Sequence, residues 1–348
     1  MGADLSREIY RKTLCQPYAT HLSRNTSQVI AGVTSKSNSV IFGTLLPIMS
    51  ILSSFFILFA VLVLVALVNA EVAIEILLGF GLLYGIVIYF AKNLLLRRGR
   101  DVNVNSDKVI KILQEGLGGV RDVILDGTQG TYLKLYSDAD TTLRQAQASI
   151  QFVGAAPRFV IESIGMAAIA CIAYYLAVSD EGIVSSMPLL GLMAVSAQRM
   201  LPVLQQLYAS ISAIQGSHSS LLDVLELLEQ QPTMTLADPS KKFHFSKSIR
   251  FENVSFRYTD NSPFVIKDVN FEIFKGENIG VIGDTGSGKS TLLDLMMGLI
   301  YPTEGAIYVD CIRITPSNCR SWQMNLAHVP QQIFLADTTV SENIAFGV

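Results

Sequence analysis

The sequence has 348 residues, of which 50% are hydrophobic and only 16% are charged, and its mean hydropathy is +0.41. A soluble protein carries roughly 25% charged residues, so the composition favours a membrane protein, and the length allows two domains. The formal net charge of −3 gives no sign of a nucleic-acid partner, and the spacing of the four cysteines excludes a typical zinc site or disulfide framework.

Four apolar segments predict membrane-spanning helices, because about 20 apolar residues are enough to cross a bilayer. They cover residues 40–68, 72–96, 155–178 and 183–204, approximately. The short turns after the first and third segments are acidic and contain no Lys or Arg. By the positive-inside rule we expect these turns outside, and residues 1–36, 98–150 and everything after about 210 in the cytoplasm.

The segment between the second and third spans has helical rather than loop-like spacing. Apolar residues recur with a helical period from Val109 to Val123, and a turn at 126–130 precedes another helical pattern. We therefore predict two long helices that extend beyond the membrane and meet at a short elbow. Residues 205–230 continue the fourth span as an amphipathic helix, which ends a first domain at 1–230, and residues 231–248 form a linker.

The hydrophobic period changes after the linker to the alternation of β-strands. Strands are predicted at 249–258, 264–273, 278–283, 306–309 and 326–329, the third of them short and buried, and a helix at 289–299. The fold class is therefore a helical transmembrane domain with four spans, followed by an α/β domain at 249–348.

A glycine-rich loop connects the predicted strand at 278–283 with the following helix, as the phosphate-binding motif G-x-x-x-x-G-K-S requires. The loop consists of Gly283, Asp284, Thr285, Gly286, Ser287, Gly288, Lys289 and Ser290, and Thr291 follows it. Its glycines let backbone N–H groups point at phosphate oxygens, and the start of the helix adds a positive dipole end. We expect Lys289 to reach the β- and γ-phosphates and Ser290 to coordinate Mg²⁺, so ATP and Mg²⁺ are the predicted cofactors.

These motifs resemble the ATP-binding cassette (ABC) family. Residues 250–348 resemble the first part of an ABC domain, and residues 1–230 resemble an exporter-type ABC transmembrane domain. The resemblance implies that Tyr258 stacks on adenine, whereas an ordinary strand aromatic is the alternative. It also implies a catalytic role for Gln331, which follows Val-Pro and would contact Mg²⁺ or the attacking water; Gln332 is the competing glutamine.

The resemblance further implies cytoplasmic coupling helices near 18–28 and 127–135, which transmit movement of the nucleotide-binding domain to the spans. Family exporters have six spans, so the four predicted here resemble spans three to six. The family's Leu-Ser-Gly-Gly-Gln signature, catalytic glutamate and switch histidine do not follow Gln331 within the 348 residues. We therefore expect a fragment that lacks two spans and the later part of the ABC domain; a functional truncation is the alternative. For the function, the alternative to a transporter is an inert membrane protein that binds nucleotide.

Charged residues inside spans are costly and often functional. Arg158 and Glu162 lie one helical turn apart, so they either pair with each other or line a substrate path, and Arg199 leaves the same two interpretations open. The patterns at 157–162 and 198–202 resemble bacterial exporters that flip lipid-linked oligosaccharides. This implies an inner-membrane flippase that works as a dimer of two half-transporters; a multidrug, lipid or peptide exporter is the alternative.

Overall fold

The structure, a computed structural model, describes residues 2–68, 70–178, 183–230, 244–330 and 335–345. The chain forms two compact units. The helical unit consists of Met1–Leu14 and Arg24–Gln231, and the sheet unit consists of Cys15–Ser23 and Pro232–Val348. The chain therefore passes between the units after Leu14, after Ser23 and after Gln231.

Long helices dominate the first two thirds of the chain. In order they are α1 (Gly2–Leu14), α2 (Tyr18–Ser23), α3 (Thr26–Ala31), α4 (Ser37–Val40), α5 (Leu46–Val68), α6 (Ala70–Gly118), α7 (Val120–Leu125), α8 (Gln129–Val178) and α9 (Ile183–Glu229). The predicted pair of long helices is confirmed: α6 and α8 extend far beyond the apolar segments. The predicted elbow between them consists of α7 and the turn at 126–128.

Two helical stretches among the described residues, Thr26–Val68 and Leu77–Gly118, are long and apolar enough to cross a membrane. On α5, large apolar side chains such as Phe55, Phe59 and Leu64 are more than half exposed, as expected for a surface that faces lipid. The other two predicted spans fall within α8 and α9 and stay predictions.

Two π-helical turns, Gly32–Lys36 and Ile41–Leu45, interrupt the helical path into α5. In the first, the Ser37 hydroxyl donates to the carbonyl oxygen of Gly32 over 2.7 Å. Each π-turn holds an extra residue relative to an α-helix and often marks a functional region. No sequence pattern predicts either turn.

Helices α6 and α9 cross with their backbones in direct contact. A Cβ atom on Gly99 of α6 would lie 2.3 Å from the carbonyl oxygen of Gly216 on α9. A Cβ atom on Gly216 would in turn lie 2.9 Å from the Cγ2 atom of Ile150 on α8. The backbone contact at Gly99 therefore requires glycine, and a side chain at position 216 would have to displace Ile150.

The sheet unit contains one four-stranded antiparallel sheet with the order β2-β1-β3-β4. Its elements are β1 (Ser248–Phe256), β2 (Ile266–Phe274), α10 (Lys289–Met296), β3 (Glu304–Val309), β4 (Ile312–Arg313), α11 (Cys319–Gln323) and α12 (Val340–Ile344). Phe251, Val309 and Trp322 are central to its core, and Tyr18 of α2 packs against the same core. This packing explains why Cys15–Ser23, which the sequence assigns to the first domain, groups with the sheet unit.

The predicted strands at 249–258, 264–273 and 306–309 are confirmed, but those at 278–283 and 326–329 are wrong. Ile282 and Val329 are 97% and 89% exposed. A buried strand needs hydrogen-bonding neighbours and cover on both faces. In the described part of the sheet unit, no strand pairs with either segment.

Asp310 fixes the beginning of β1. Its carboxylate accepts hydrogen bonds from the backbone N–H groups of Ser246, Lys247 and Ser248 and from the Ser246 hydroxyl. Partial burial alone would raise the pKa of Asp310, but the hydrogen bonds from the backbone and from Ser246 hold the pKa at about 2.

We expect Asp310→Asn to destabilise the sheet unit at neutral pH, since the amide loses the charge that these donors stabilise. Because the folded pKa lies below the usual value of about 3.9, the carboxylate contributes stability above pH of about 4 and loses it as the pH falls towards 2. Fluorescence of the single tryptophan, Trp322, measures unfolding of this unit. A difference between wild type and variant that persists unchanged at pH 2 would contradict the account.

Candidate functional site

The glycine-rich loop forms a tight curve between β2 and α10. Gly286 and Gly288 have φ angles of +86° and +88°, in the left-handed region that favours glycine. A Cβ atom on Gly288 would also lie 3.1 Å from the carbonyl oxygen of Val265, so this residue is pressed against the chain leading into β2. The loop shape therefore depends on the glycines that the motif predicts.

Lys289 closes the loop on itself. Its Nζ atom donates hydrogen bonds to the carbonyl oxygens of Gly283, at 2.8 Å, and Asp284, at 2.7 Å. Phosphate oxygens would accept hydrogen bonds from the same ammonium group. Because phosphate is charged, its hydrogen bond with Lys289 would be stronger than that of a carbonyl oxygen. Helix α10 begins at Lys289, so its unpaired backbone N–H groups and positive dipole end lie at the same loop.

The other predicted loop residues line an accessible surface. Asp284, Thr285, Ser287 and Ser290 are exposed, whereas Thr291 is buried. The exposed Ser290 hydroxyl, next to Lys289, is available to a metal ion that accompanies a phosphate group. The residues present therefore fit a nucleotide phosphate with its cation.

Tyr258 is joined directly to α10. Its hydroxyl lies 3.0 Å from the hydroxyl of Thr291, and its ring packs edge-on against Phe256 at 4.9 Å between centroids. The ring remains 48% exposed, so one face is available to a planar ligand beside the loop. The family resemblance implies a role for Tyr258 and Thr291 follows the phosphate loop, but the sequence does not predict this hydrogen bond between them.

The far end of α10 is anchored by α11. The indole N–H of Trp322 donates to the carbonyl oxygen of Met296 over 2.9 Å, and Gln323 donates to the carbonyl oxygen of Gly298 over 3.3 Å. Burial raises the pKa of Asp294 on α10, and the charge of His328 opposes this shift. These anchors hold α10, and with it the phosphate loop, in a fixed position.

The predicted residues of the spans are only partly brought together. The Nε atom of Arg158 lies 3.7 Å from a carboxylate oxygen of Glu162, and both side chains line a cavity of about 440 Å³. Arg199 is exposed and lines neither this cavity nor the larger one next to it. Gln331 lies outside the described residues.

The larger cavity, of about 610 Å³, lies between α6, α8 and α9 and shares Arg158 with its neighbour. Tyr208 donates to the carbonyl oxygen of Val153 over 2.9 Å, and its ring centroid is 6.0 Å from that of Tyr84. The hydroxyl of Tyr84 is buried and has no hydrogen-bond partner among the described residues, which costs free energy unless a ligand supplies one. Glutamine amides, among them those of Gln151 and Gln205, complete a mainly apolar lining.

Comparisons with known proteins match both parts of the chain. The family described as "ABC transporter transmembrane region" matches residues 1–203, and the family described as "ABC transporter" matches residues 266–346. The first match alone covers more than half of the chain.

Two relatives illustrate the similarity. The chain is 29% identical over 269 residues to the ATP-dependent lipid A-core flippase of Chromohalobacter salexigens. This alignment covers 76% of the chain and 46% of the relative. It is 28% identical over 362 residues to the uncharacterized ABC transporter ATP-binding protein YfiB of Bacillus subtilis, which covers 99% of the chain and 60% of the relative. The chain thus spans less than two thirds of the length of these relatives.

A solved structure described as a bacterial Atm1-family ABC exporter with ATP bound resembles the chain with a TM-score of 0.79 at 18% identity. The alignment covers 100% of the chain and 61% of that structure, and at this identity it establishes the fold. Together with the family matches, the phosphate loop and the long helices establish that this chain belongs to the ABC transporter family, with an exporter-type transmembrane region followed by an ABC ATP-binding region.

Proposed function

We propose that the chain serves ATP-driven export of an amphiphilic substrate across a bacterial inner membrane. One observation carries the proposal: a single polypeptide combines a phosphate loop, where Lys289 is held at the loop carbonyls, with a helical unit that encloses a mainly apolar cavity. The loop supplies nucleotide-dependent movement, and the cavity supplies a place for the substrate.

The nucleotide would be held by residues of the sheet unit. Tyr258 stacks on adenine, and the backbone from Gly283 to Thr291 surrounds the phosphates. Lys289 neutralises the β- and γ-phosphates, while Ser290 and Gln331 hold Mg²⁺ or orient the attacking water. Bound ATP would supply the free energy, and two half-transporters, most simply two copies of the full-length transporter, would pair to complete the hydrolytic sites.

We expect Tyr258→Ala to lower the affinity for Mg·ATP about tenfold, because stacking of a base on an aromatic ring contributes about 1–3 kcal/mol. Tyr258→Phe keeps the ring and loses only the hydroxyl that contacts Thr291, so its affinity should stay within about threefold of wild type. Titration with a fluorescent ATP analogue measures both. Equal losses in the two variants would contradict stacking.

Two segments are suited to carry movement between nucleotide and spans. Tyr18 of α2 packs against the core of the sheet unit, which supports the coupling segment expected near 18–28. Ile124 and Leu125 of the elbow, and Leu133 of the coupling segment expected near 127–135, are at least 60% exposed. An exposed apolar tip of this kind supports docking onto a nucleotide-binding domain.

The cavities suit a substrate with apolar and polar parts. Aromatic and aliphatic side chains would contact acyl chains, whereas Arg158 and the glutamine amides would contact a polar headgroup. A relative at 29% identity is named an ATP-dependent lipid A-core flippase, which supports a glycolipid as the substrate. Arg158 and Glu162 would line its path, with Arg199 as a separate contact.

The test is stimulation of ATP hydrolysis by purified lipid A-core in liposomes that contain the full-length transporter. We expect Arg158→Ala to reduce stimulation about tenfold, since a charge-assisted hydrogen bond to the headgroup contributes about 1.5–3 kcal/mol. Arg144→Ala is the matched control, because Arg144 forms a similar pair with Asp140 at 3.3 Å, one helical turn away on the same helix and outside the cavities. Equal effects of the two variants would refute the substrate path.

A further inference from the structure

The three passages of the chain between the units begin or end in one small core of the helical unit. Ile9 of α1, Val40 of α4 and Val224 near the end of α9 are buried against one another. Helix α1 precedes the first passage, α3 and α4 follow the second, and α9 precedes the third. The Lys12 ammonium group also donates to the carbonyl oxygen of Leu228, which joins α1 to the end of α9.

A cluster of charged and polar residues lies beside this core. The side chain of Lys36 is only 5% exposed, and its Nζ atom donates to Asp107 over 2.9 Å and to Asp223 over 2.6 Å. The amide of Asn103 donates to the same oxygen of Asp223 over 2.9 Å and to Ser219 over 3.0 Å. We call Lys36, Asn103, Asp107 and Asp223 the clasp, which joins the π-turn before α4 to α6 and α9.

The first π-turn determines which way Lys36 faces. Residues of an α-helix are separated by about 100°, so one additional residue in Gly32–Lys36 rotates the following side chains by about that angle. The turn thereby directs into the bundle the last residue of the segment 1–36, which the sequence predicts to be cytoplasmic. A rare backbone feature and a buried charge thus occur at one residue.

Stability alone does not explain the clasp, because apolar side chains could hold these helices together equally well. Within the part of the chain that the structure describes, the second carboxylate oxygen of Asp107 is buried without a hydrogen-bond partner. Well-packed apolar residues often replace buried ion pairs without loss of stability. A hydrogen-bonded ion pair is directional, because it forms only while its donor and acceptor groups keep the right distance and orientation. Apolar contacts such as those around Ile9 are non-directional and permit sliding.

We propose that the clasp transmits movement of the nucleotide-binding region to the spans, with Lys36 as the positioning residue. Lys36 ties the chain that enters α5 to α6 and to the end of α9, and α6 and α9 carry Tyr84 and Tyr208 of the larger cavity. Displacement of α2 or of the chain after α9 then reaches all three helices together. This inference rests on the proposed function.

The test uses the full-length transporter in lipid nanodiscs and measures backbone hydrogen exchange with and without Mg·ATP. In wild type, Mg·ATP should change exchange around Tyr84 and Tyr208 at least threefold. The affinity of Lys36→Met for Mg·ATP should be within about twofold of wild type, but this variant should lose the change in exchange. Lys36→Arg keeps the positive charge and should show the change as wild type does. Lys111→Met, which breaks an exposed pair with Glu115 at 3.7 Å on α6, should behave as wild type.

A triple variant separates transmission from folding, in case Lys36→Met alone is unstable. Lys36→Met with Asp107→Asn and Asp223→Asn leaves no uncompensated buried charge. We expect it to fold and bind Mg·ATP without the change in exchange. If it or Lys36→Met retains the change, the clasp is only structural and the inference is overturned. Absence of the change in wild type would instead refute the proposed function, and the inference with it.

Discussion

Lys289→Ala lowers the affinity of the chain for Mg·ATP by about 10- to 150-fold, which corresponds to about 1.5–3 kcal/mol for a charge-assisted hydrogen bond. In the structure the Lys289 ammonium group is held by two loop carbonyls, 2.8 and 2.7 Å away, so it lies at the loop before any phosphate arrives. Alanine removes the only side chain of the loop that carries a positive charge. Calorimetric titration of the purified chain with Mg·ATP measures the loss.

The control for this variant is Lys267→Ala, which removes an exposed lysine from β2 in the same unit. It changes the net charge by the same amount as Lys289→Ala. Lys267 takes no part in the phosphate loop, so the affinity of the Lys267→Ala variant for Mg·ATP should equal that of wild type. If both variants bind alike, the affinity depends on overall charge and not on the loop.

Gly99→Ala destabilises the helical unit by about 3 kcal/mol, the upper part of the range for an overpacked core. The new methyl group would lie 2.3 Å from the carbonyl oxygen of Gly216, and backbone cannot rotate away as a side chain can. Relief requires α6 and α9 to separate, and these two helices form two walls of the larger cavity. Thermal unfolding of the solubilised chain, followed by circular dichroism, measures the loss.

Gly85→Ala is the matched control on the same helix, because a Cβ atom there meets no atom of the described residues within 4 Å. Alanine is favoured over glycine inside a helix by up to about 1 kcal/mol, so this variant should be as stable as wild type or more so. A similar loss of stability in both variants would show that helix composition, and not the crossing at Gly216, determines the result.

Local patterns explain what the sequence predicts correctly. The alternation around Phe251 and Phe271 defines β1 and β2, which pair through these residues, and the helical period from Val109 to Val123 defines the helices at the elbow. The motif places glycine at Gly286 and Gly288, where the backbone has positive φ angles that favour glycine. Each of these signals is contained within about 20 residues of chain.

Features that depend on contacts between residues far apart in the chain could not be predicted from the sequence. A run such as Asn278–Gly283 is apolar enough for a strand, yet it forms one only when neighbouring strands supply hydrogen bonds. Lys36 is separated by 71 residues from Asp107 and by 187 from Asp223, so no spacing rule connects them. The contact of Gly99 with Gly216 likewise becomes visible only when the helices are packed.

Reconstituted transport tests the central claim most directly, because it requires the phosphate loop and the cavity at once. The measurement is the movement of labelled lipid A-core across liposomes that contain the full-length transporter. We predict movement that needs Mg·ATP, is abolished by Lys289→Ala and reduced by Arg158→Ala, and is unchanged by Lys267→Ala and Arg144→Ala. Movement that continues without ATP, or that is the same in Lys289→Ala as in wild type, would contradict the account.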